Sequence, residues 1–216
     1  SWRGLGLLPN TYAIESFIDE LATAAAIDPL QFRLNNLGND SRSQRYATVL
    51  QAVADKADWG NVPAERGLGL AGIMDMKTAV AIVAEVSVNE TGQVRVHKIT
   101  SAMDCGLVIN PDGAKAQMEG NAMWGVSAAL KEEATVLNGR FAINNFDTYP
   151  LLTMREAPKV DAILVDSGET EPYGVGEPPI APIAAAIANA VFALMGKRLR
   201  QMPFTAARVR EAEIVG

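Results

Sequence analysis

The sequence predicts an α+β fold in which an antiparallel or mixed sheet packs against helices. Helical and strand-like patterns occur in separate runs, whereas a doubly wound parallel sheet requires the two to alternate. Helices lead the chain, strands follow after position 61, and an apolar helix lies near the C-terminal end. With 216 residues, 49% of them hydrophobic, the chain is long enough to build a substantial core.

The leading region, residues 1–60, is predicted to be a helical segment. From position 11 onward, apolar residues recur at helical spacing and predict one buried helix face: Ile14, Phe17, Ile18, Leu21 and Ala25. Asn10 or Thr11 is the expected N-cap of this helix. The helical pattern stops at Gly38, and a further helix is expected over 45–59.

The remaining region, residues 61–216, is predicted to hold the α+β portion. Alternating apolar residues over 79–88 and 94–99, separated by a Gly-containing turn, predict a β-hairpin. Further elements are expected as strands at 132–136, 140–146 and 160–165 and as helices at 112–130, 180–195 and 205–213.

One glycine motif raises the question of a nucleotide site. Gly67-Leu-Gly69-Leu-Ala-Gly72 formally matches the dinucleotide fingerprint G-x-G-x-x-G. That fingerprint has to lie between a strand and a helix, because the helix N-terminus receives the pyrophosphate. Here a strand pattern follows, over 74–88, so NAD binding through this motif is disfavoured.

Composition excludes several classes of site. The net charge of −6, with no basic cluster longer than 197–200, argues against a nucleic-acid partner. The apolar run at 180–195 is interrupted by Pro182 and Asn189 and predicts no membrane span. A single Cys and a single His exclude an internal disulfide, a Cys-rich zinc site and a His-based metal cluster.

The first residues suggest that the chain is part of something larger. It opens with Ser-Trp-Arg-Gly, without an initiator Met or a signal segment. We therefore expect it to be a C-terminal portion of a longer polypeptide, either cut from it or expressed separately.

A single carboxylate stands out in the segment Gly174-Val-Gly-Glu-Pro-Pro179. Two glycines allow a close backbone approach, and the prolines favour the start of a helix just after Glu177. The positive end of that helix would favour the ionised carboxylate, which suits a general base. An ordinary helix-capping turn is the alternative explanation on local grounds.

Four other polar residues are interpreted as structural. Glu15 and Asp19 share a helix face at i, i+4, but no metal-ligating partners accompany them. Cys105 lies in an apolar context without a neighbouring His, which favours a small buried residue over a nucleophile. His97 is predicted to be an exposed strand side chain.

Four stretches in a fixed order carry a resemblance to a known family. They are 2–6 (Trp-Arg-Gly-Leu-Gly), 15–33 (Glu-Ser-Phe-Ile-Asp-Glu-Leu, then Asp-Pro-Leu-Gln-Phe-Arg), 104–120 (Asp-Cys-Gly, Asn-Pro, then Gln-Met-Glu-Gly) and 174–179. The chain resembles the C-terminal part of the molybdopterin-binding subunit in the xanthine oxidase family of molybdenum hydroxylases. Within the family it is most similar to isoquinoline 1-oxidoreductase β subunits and aldehyde dehydrogenase large subunits.

The resemblance implies a role for each matching residue. Glu177 matches the catalytic glutamate, a general base that deprotonates a hydroxyl on molybdenum. Arg3 matches an arginine beside the pterin cofactor, with a surface ion pair as the alternative. Gln117 matches a glutamine that hydrogen-bonds the pterin, and its neighbours Ala116 and Met118 favour a buried amide.

Other matching positions would shape the site. The backbone at Gly174, Val175 and Gly176 is implied to pass beside the metal centre, and no residue of the chain is implied to ligate the metal directly. Leu5 occupies a substrate-pocket position that is aromatic in the purine-oxidising branch. Because a leucine offers no π-face, the resemblance implies an N-heteroaromatic or aldehyde substrate rather than a purine.

The resemblance also implies cofactors and partners. The cofactor would be molybdopterin cytosine dinucleotide with molybdenum, and the partners would be the rest of the large subunit and a small [2Fe–2S] subunit. We expect the chain alone to be inactive. A scaffold or interaction module that keeps the fold without a cofactor is the rival hypothesis, and it does not explain why Arg3, Gln117 and Glu177 are all present.

Overall fold

The computed structural model describes residues 2–214 and shows a mixed sheet with helices on both faces, which confirms the predicted α+β class. Six α-helices in this described range are α1 (Leu7–Ala24), α2 (Pro29–Asn35), α3 (Ser41–Ala57), α4 (Pro111–Leu130), α5 (Ile183–Met195) and α6 (Ala206–Glu211). The strands are β1 (Gly67–Asp75), β2 (Thr78–Val88), β3 (Val94–Asp104), β4 (Val136–Leu137), β5 (Arg140–Phe141) and β6 (Lys159–Leu164).

The main sheet has the strand order β1-β2-β3-β6. The first three strands are antiparallel, and β6 pairs in parallel with β3. The predicted hairpin is confirmed as β2 and β3, and the expected strand near 160–165 is confirmed as β6. The strand pattern over 74–88 contains the last two residues of β1, a turn at Met76 and Lys77, which both have positive φ, and the whole of β2. The strands expected at 132–136 and 140–146 are reduced to the two-residue ladder of β4 and β5.

Helices cover the two faces of the sheet. On one face, Val49, Leu50 and Val53 of α3 pack against apolar residues of β1 and β2. On the other face, α5 packs against the alternate residues of β1 and β2, and α4 packs against α5, β6 and β3. Because β1, β2, α1 and α4 all pack around α5, nine consecutive residues from Ile183 to Val191 are buried.

The glycine motif of β1 makes this close packing possible. A Cβ at Gly67 would lie 2.2 Å from the carbonyl oxygen of Ala190, and one at Gly69 would lie 2.2 Å from that of Ala186. Only glycine allows the helix backbone to approach so closely. The motif therefore lies inside an antiparallel strand, which is the wrong context for a dinucleotide fingerprint.

Helix α5 begins later than the sequence predicts. A 3₁₀ turn at Pro178–Ile180 comes first, and the α-helix starts at Ile183 rather than at Ile180. Together the turn and α5 form one stretch, Pro178–Met195, that is long and apolar enough to cross a membrane, but 78% of it is buried inside the fold. Its position is that of a core helix.

Helix α1 is oriented opposite to the prediction. It begins at Leu7, with Gly6 as its N-cap instead of Asn10 or Thr11. The apolar face predicted to be buried is largely exposed, with Ile14 and Phe17 each 58% exposed and Leu21 42% exposed. The buried face carries polar and charged residues instead: Thr11, Glu15, Ser16 and Asp19.

Helix α1 has this orientation because its polar face helps to satisfy backbone groups on the outer edge of β1. The Leu70 carbonyl oxygen accepts hydrogen bonds from Arg33 Nη2 (3.3 Å) and Asn189 Nδ2 (3.0 Å). The Gly72 amide donates to Glu15 Oε2 at 2.8 Å, and Arg33 Nε donates to the same oxygen at 3.0 Å. Unpaired backbone groups on a buried edge are costly, and these side chains satisfy them.

A second buried ion pair fixes the other end of α1. Arg198 Nη1 donates to Asp19 Oδ2 at 2.6 Å, and Arg198 Nη2 donates to Thr23 Oγ1 at 3.0 Å. The Arg198 guanidinium also lies 3.2 Å from the centre of the Phe192 ring on α5. The interpretation of Glu15 and Asp19 as structural residues is thereby confirmed.

We expect Arg33→Met to destabilise the fold strongly. Burial raises the pKa of the Glu15 carboxyl, and Arg33 is the main group that opposes this shift. Removing one partner of a buried ion pair costs about 3–5 kcal/mol, because the other charge stays buried. Chemical denaturation with circular dichroism measures the change in the free energy of unfolding.

The matched control for this change is Arg200→Met, which removes an ion pair to Glu20 at the surface. Arg200 has a side chain that is 62% exposed, and surface pairs contribute about 0–1 kcal/mol. Equal losses of stability in the two variants would show that the Arg33 pair has no special role at the β1 edge.

Candidate functional site

The segment 171–177 lies where the parallel pairing of β3 and β6 brings two strand ends together. Both strands end at the same edge of the sheet, because Met103 is opposite Leu164. The chain leaving β3 then meets the chain that follows β6. The Tyr173 amide donates to the Cys105 carbonyl oxygen at 2.8 Å, and the Leu107 amide donates to that of Glu171 at 3.0 Å.

Arg3 joins three parts of the chain at this place. Its Nε donates to the Gly176 carbonyl oxygen at 2.7 Å. Its Nη2 donates to Oε1 of Gln117 on α4. The guanidinium also lies 5.4 Å from the ring centre of Trp124, which is about two turns along α4 from Gln117. Arg3 therefore contacts both Gln117 and Gly176, and the sequence had singled out all three residues.

Glu177 follows this junction directly and is exposed in the described chain. It precedes the 3₁₀ turn, whose first two residues are prolines without N–H groups, and its side chain caps no helix. The helix terminus expected to favour its charge is thus displaced, since α5 starts only at Ile183. The cation that couples to it is Arg3: burial lowers the pKa of Arg3, and the Glu177 carboxylate acts in the opposite direction.

Two predicted site residues are more exposed than expected. The sequence favoured a buried Gln117 amide, because its neighbours Ala116 and Met118 are apolar. On α4, however, Gln117 and Ala116 are exposed and only Met118 is buried. Leu5 is 61% exposed and has a φ of +47°, in the turn that precedes α1. That turn is held against the 3₁₀ turn, since a Cβ at Gly4 would lie 2.8 Å from Ile180 Cγ2.

The two glycines of the loop are not explained by the chain's own packing. A Cβ added at Gly174 or at Gly176 would meet no described atom within 4 Å, and neither residue has a positive φ. The open space beside this backbone suits a bulky group that approaches closely. Val175 and Gln117 line a cavity of about 350 Å³ beside the loop. The cavity is lined mainly by apolar side chains, and the Gln117 amide and the loop backbone supply polar groups that could hold a large cofactor.

The structure adds two residues that the sequence did not single out. Asn121 Nδ2 donates to the carbonyl oxygens of Gln117 (2.7 Å) and Gly176 (3.0 Å), while its buried Oδ1 has no partner among the described residues. Its i, i+4 spacing from Gln117 was the signal that could have found it. Thr78 Oγ1 donates to the Gly174 carbonyl oxygen at 2.8 Å, a contact between positions too distant for local patterns to reveal.

Asp104 fixes the strand end on which the loop rests. Arg45 donates to both of its carboxylate oxygens, at 2.7 and 2.8 Å, and the Gly106 amide donates to Oδ1 at 2.9 Å. Burial alone raises the pKa of Asp104, but these bonds and one from Ser167 outweigh burial and hold the pKa below its ordinary value. The next residue, Cys105, is buried as expected, and burial raises the pKa of its thiol.

A second cavity borders Arg3. It has a volume of about 460 Å³ and is lined mainly by aromatic and apolar side chains, including Trp2, Trp124, Phe146 and Tyr149. Apolar cavities with a few convergent polar groups are the usual form of small-molecule sites. The described residues contain no cluster of three or more His, Cys, Asp or Glu side chains that could hold a metal ion.

Comparison with known proteins identifies the class of this domain. Residues 11–158 match the molybdopterin cofactor-binding domain family. The chain therefore belongs to that family, which confirms the resemblance found in the sequence. The matched range contains Gln117 and Asn121, whereas Arg3, Leu5 and Glu177 lie outside it.

Two curated relatives extend the match over nearly the whole chain. A nicotinate dehydrogenase subunit of Pseudomonas putida is 36% identical over 98% of this chain and 19% of its own length. The beta subunit of isoquinoline 1-oxidoreductase of Brevundimonas diminuta is 36% identical over 95% of this chain and 26% of its own length. The chain thus spans about a fifth to a quarter of these relatives.

Solved structures agree on the fold. The aldehyde oxidoreductase of Desulfovibrio desulfuricans superposes on 98% of this chain and 41% of its own chain, with a TM-score of 0.79 and 15% sequence identity. The aldehyde oxidoreductase of Desulfovibrio gigas gives a TM-score of 0.75 over the same shares. At this level of identity the likeness concerns the architecture.

We expect Asp104→Asn to weaken the fold at neutral pH and to flatten its response to acid. A carboxyl whose folded-state pKa is lowered contributes stability above its unfolded pKa, and this stability is lost as the pH falls through the folded-state pKa. At pH 7 the free energy of unfolding of the variant should be about 1–3 kcal/mol lower than that of the parent. As the pH falls from 5 to 2, the variant should lose less of its stability than the parent does. Urea denaturation at several pH values measures both effects.

Asp147→Asn, at an exposed position, is the matched control. An Asp104 variant whose pH profile parallels that of the parent would contradict the lowered pKa.

Proposed function

We propose that this chain forms part of the large subunit of a molybdenum hydroxylase that oxidises an aldehyde or an N-heteroaromatic compound. The family match and the names of the relatives support this reaction class. The observation that carries the proposal is the junction at which Arg3 binds both Gln117 and the Gly176 carbonyl, next to Glu177.

The cofactor of the proposal is molybdopterin cytosine dinucleotide. Gln117 would hold its pterin with the side-chain amide, and Asn121 has a buried acceptor oxygen that is unused among the described residues. Arg3 would present a cation beside it, and Gly174, Val175 and Gly176 would line it with backbone. When bound, the molybdenum centre supplies the oxidation of the substrate with oxygen derived from water.

Glu177 is the general base of the proposal. Its carboxylate is the acidic group of the 174–179 loop, and it lies close enough to Arg3 for the two charges to interact. A carboxylate that accepts a proton during the reaction has to be ionised beforehand and within reach of the reacting group. The backbone anchors at Gly174 and Gly176 fix the position from which Glu177 extends.

Leu5 and the aromatic cavity favour an apolar or aromatic substrate. The exposed Leu5 side chain offers apolar contact without a π-face, and Trp2 and Trp124 line the cavity next to Arg3. The cavity suits an apolar or aromatic molecule in general, and the missing π-face at Leu5 favours an aldehyde or another N-heteroaromatic ring over a purine.

Electrons would leave through a partner subunit or an upstream domain. An iron–sulfur cluster requires several cysteine ligands, and this sequence has one cysteine, which is buried. The proposal therefore includes a small [2Fe–2S] subunit and the rest of the large subunit as partners. Residues 1–60 would bring the cofactor-contacting loop, and residues 61–216 would bring the segment with Glu177. The chain alone would be inactive.

In the assembled enzyme, we expect Glu177→Gln to lower turnover by about 10²–10⁴-fold while molybdenum content is retained, because general-base catalysis typically contributes a factor of this size. Steady-state kinetics with an aldehyde and an artificial electron acceptor measure turnover, and elemental analysis measures the metal. Glu171→Gln, at an exposed position of the same loop, is the matched control and should keep full activity.

Two results would contradict this assignment. Full turnover in the Glu177 variant would remove the residue from the mechanism. A parent complex that contains no molybdenum would favour the rival function, a scaffold that keeps the fold without a cofactor.

We expect the assembled enzyme to oxidise aldehydes or N-heterocycles such as nicotinate faster than hypoxanthine. The physical reason is the missing π-face at Leu5, and Leu5→Phe is the variant expected to improve relative turnover of the purine. Values of kcat/KM for the three compounds test this. Faster oxidation of hypoxanthine by the parent enzyme would show that the substrate class is wrong.

A further inference from the structure

The outward surface of α1 lacks the charges that a solvent-facing helix normally carries. Nine residues between positions 9 and 25 are exposed, and none of them is charged. Ile14, Phe17 and Leu21 follow one another at i, i+3 and i+7, with Ile18 partly exposed between them. Surface helices of globular proteins place polar residues on this side. We call this set of four residues the α1 stripe.

The charges of the helix are on its opposite side, where they cannot cover the stripe. Glu15 and Asp19 are about 4% exposed and are held by Arg33 and Arg198. The third acidic residue, Glu20, is paired with Arg200 beside the helix. Rotating α1 to bury the stripe would break both buried ion pairs and free the edge of β1. The stripe is therefore a fixed feature of the folded chain.

A contiguous apolar surface of this kind marks an interaction site, whereas isolated exposed apolar residues do not. The described chain places no element over it. We propose that the α1 stripe is the docking surface for the part of the large subunit that lies outside this chain, and that the occupant is an apolar, uncharged surface of that polypeptide.

Two observations favour this occupant over a second copy of the chain. The relatives carry between about three-quarters and four-fifths of their length outside the segment matched here, since the chain spans 19–28% of them. In addition, Arg3 and Leu5, which we place in the cofactor and substrate site, immediately precede α1. A polypeptide that closes over that exposed site lies next to the stripe, whereas a second copy would bring another open site. This step rests on the proposed function.

The test mixes the full 216-residue chain with a second polypeptide, which is produced as a separate chain. This second polypeptide comes from the same genome and aligns with the part of the Pseudomonas putida nicotinate dehydrogenase subunit that the 216-residue chain does not match. Light scattering gives the stoichiometry, titration calorimetry gives the Kd, and hydrogen exchange locates the contact. We expect a 1:1 complex with slower exchange over residues 9–25. Phe17→Glu should weaken the Kd at least tenfold.

The matched control is Phe141→Glu. Phe141 is 68% exposed in the β4–β5 ladder, compared with 58% for Phe17, so both changes place a carboxylate at an exposed ring position. The thermal unfolding midpoint of each variant should stay at that of the parent, because neither ring belongs to the core. A second stripe variant, Leu21→Lys, repeats the test with the opposite charge.

The outcomes are distinct. An unchanged Kd in both stripe variants, no binding by the parent chain, or a parent homodimer that Phe17→Glu dissociates would each overturn the proposal. The proposed function fails separately: if the complex needs the α1 stripe but the natively purified complex contains no molybdenum, the docking surface is supported and the enzyme is refuted.

Discussion

The fold depends on one buried ion pair that completes a sheet edge. Glu15 and Arg33 come from two helices, and both bind the backbone of β1 as well as each other. Buried charges are tolerated when they are paired and fully hydrogen-bonded, and here the backbone supplies the remaining partners. This arrangement fixes the rotation of α1, and through α1 it fixes the loop that carries Arg3 and Leu5. An interaction at the edge of the sheet thus determines where the candidate site begins.

The candidate site depends on a second constraint, the single parallel strand pair. Because β3 and β6 end at the same edge, the loop at 171–177 rests on the segment after Asp104. The crossover between these strands contains α4, which brings Gln117 and Asn121 to the same place. The Gly176 carbonyl oxygen, with hydrogen bonds from Arg3 and Asn121, is the point at which the three segments meet. Topology, rather than sequence proximity, assembles the site.

Local patterns predicted the elements well where local physics decides them. The hairpin of β2 and β3 was evident from alternation, and the helix expected at 112–130 is α4, which begins one residue earlier. The patterns failed where tertiary contacts dominate. The residues of the α1 stripe have ideal helical spacing, but a sequence gives no sign that two arginines from elsewhere will bind the opposite side of the helix.

The site residues divide in the same way. Resemblance to a family pointed to Arg3, Gln117 and Glu177, and the structure places the first two in contact, with Glu177 adjacent to the junction. The exposure of Gln117 and Glu177 was not predictable from local patterns, because it depends on how distant parts of the chain pack around them. The helix-terminus argument for Glu177 failed, since two prolines remove the N–H groups that it requires. Thr78 was missed because its only signal is a long-range backbone contact.

The capped edge of β1 also limits how this domain can associate with other chains. Side chains already occupy the Leu70 carbonyl and the Gly72 amide, and Arg42 Nη2 donates to the Met74 carbonyl at 3.1 Å. An incoming strand would have to displace these groups before it could pair with β1. Sheet extension by strand addition, the common route to domain swapping and to fibrous aggregates, is therefore blocked at this edge. Association through side-chain surfaces remains open.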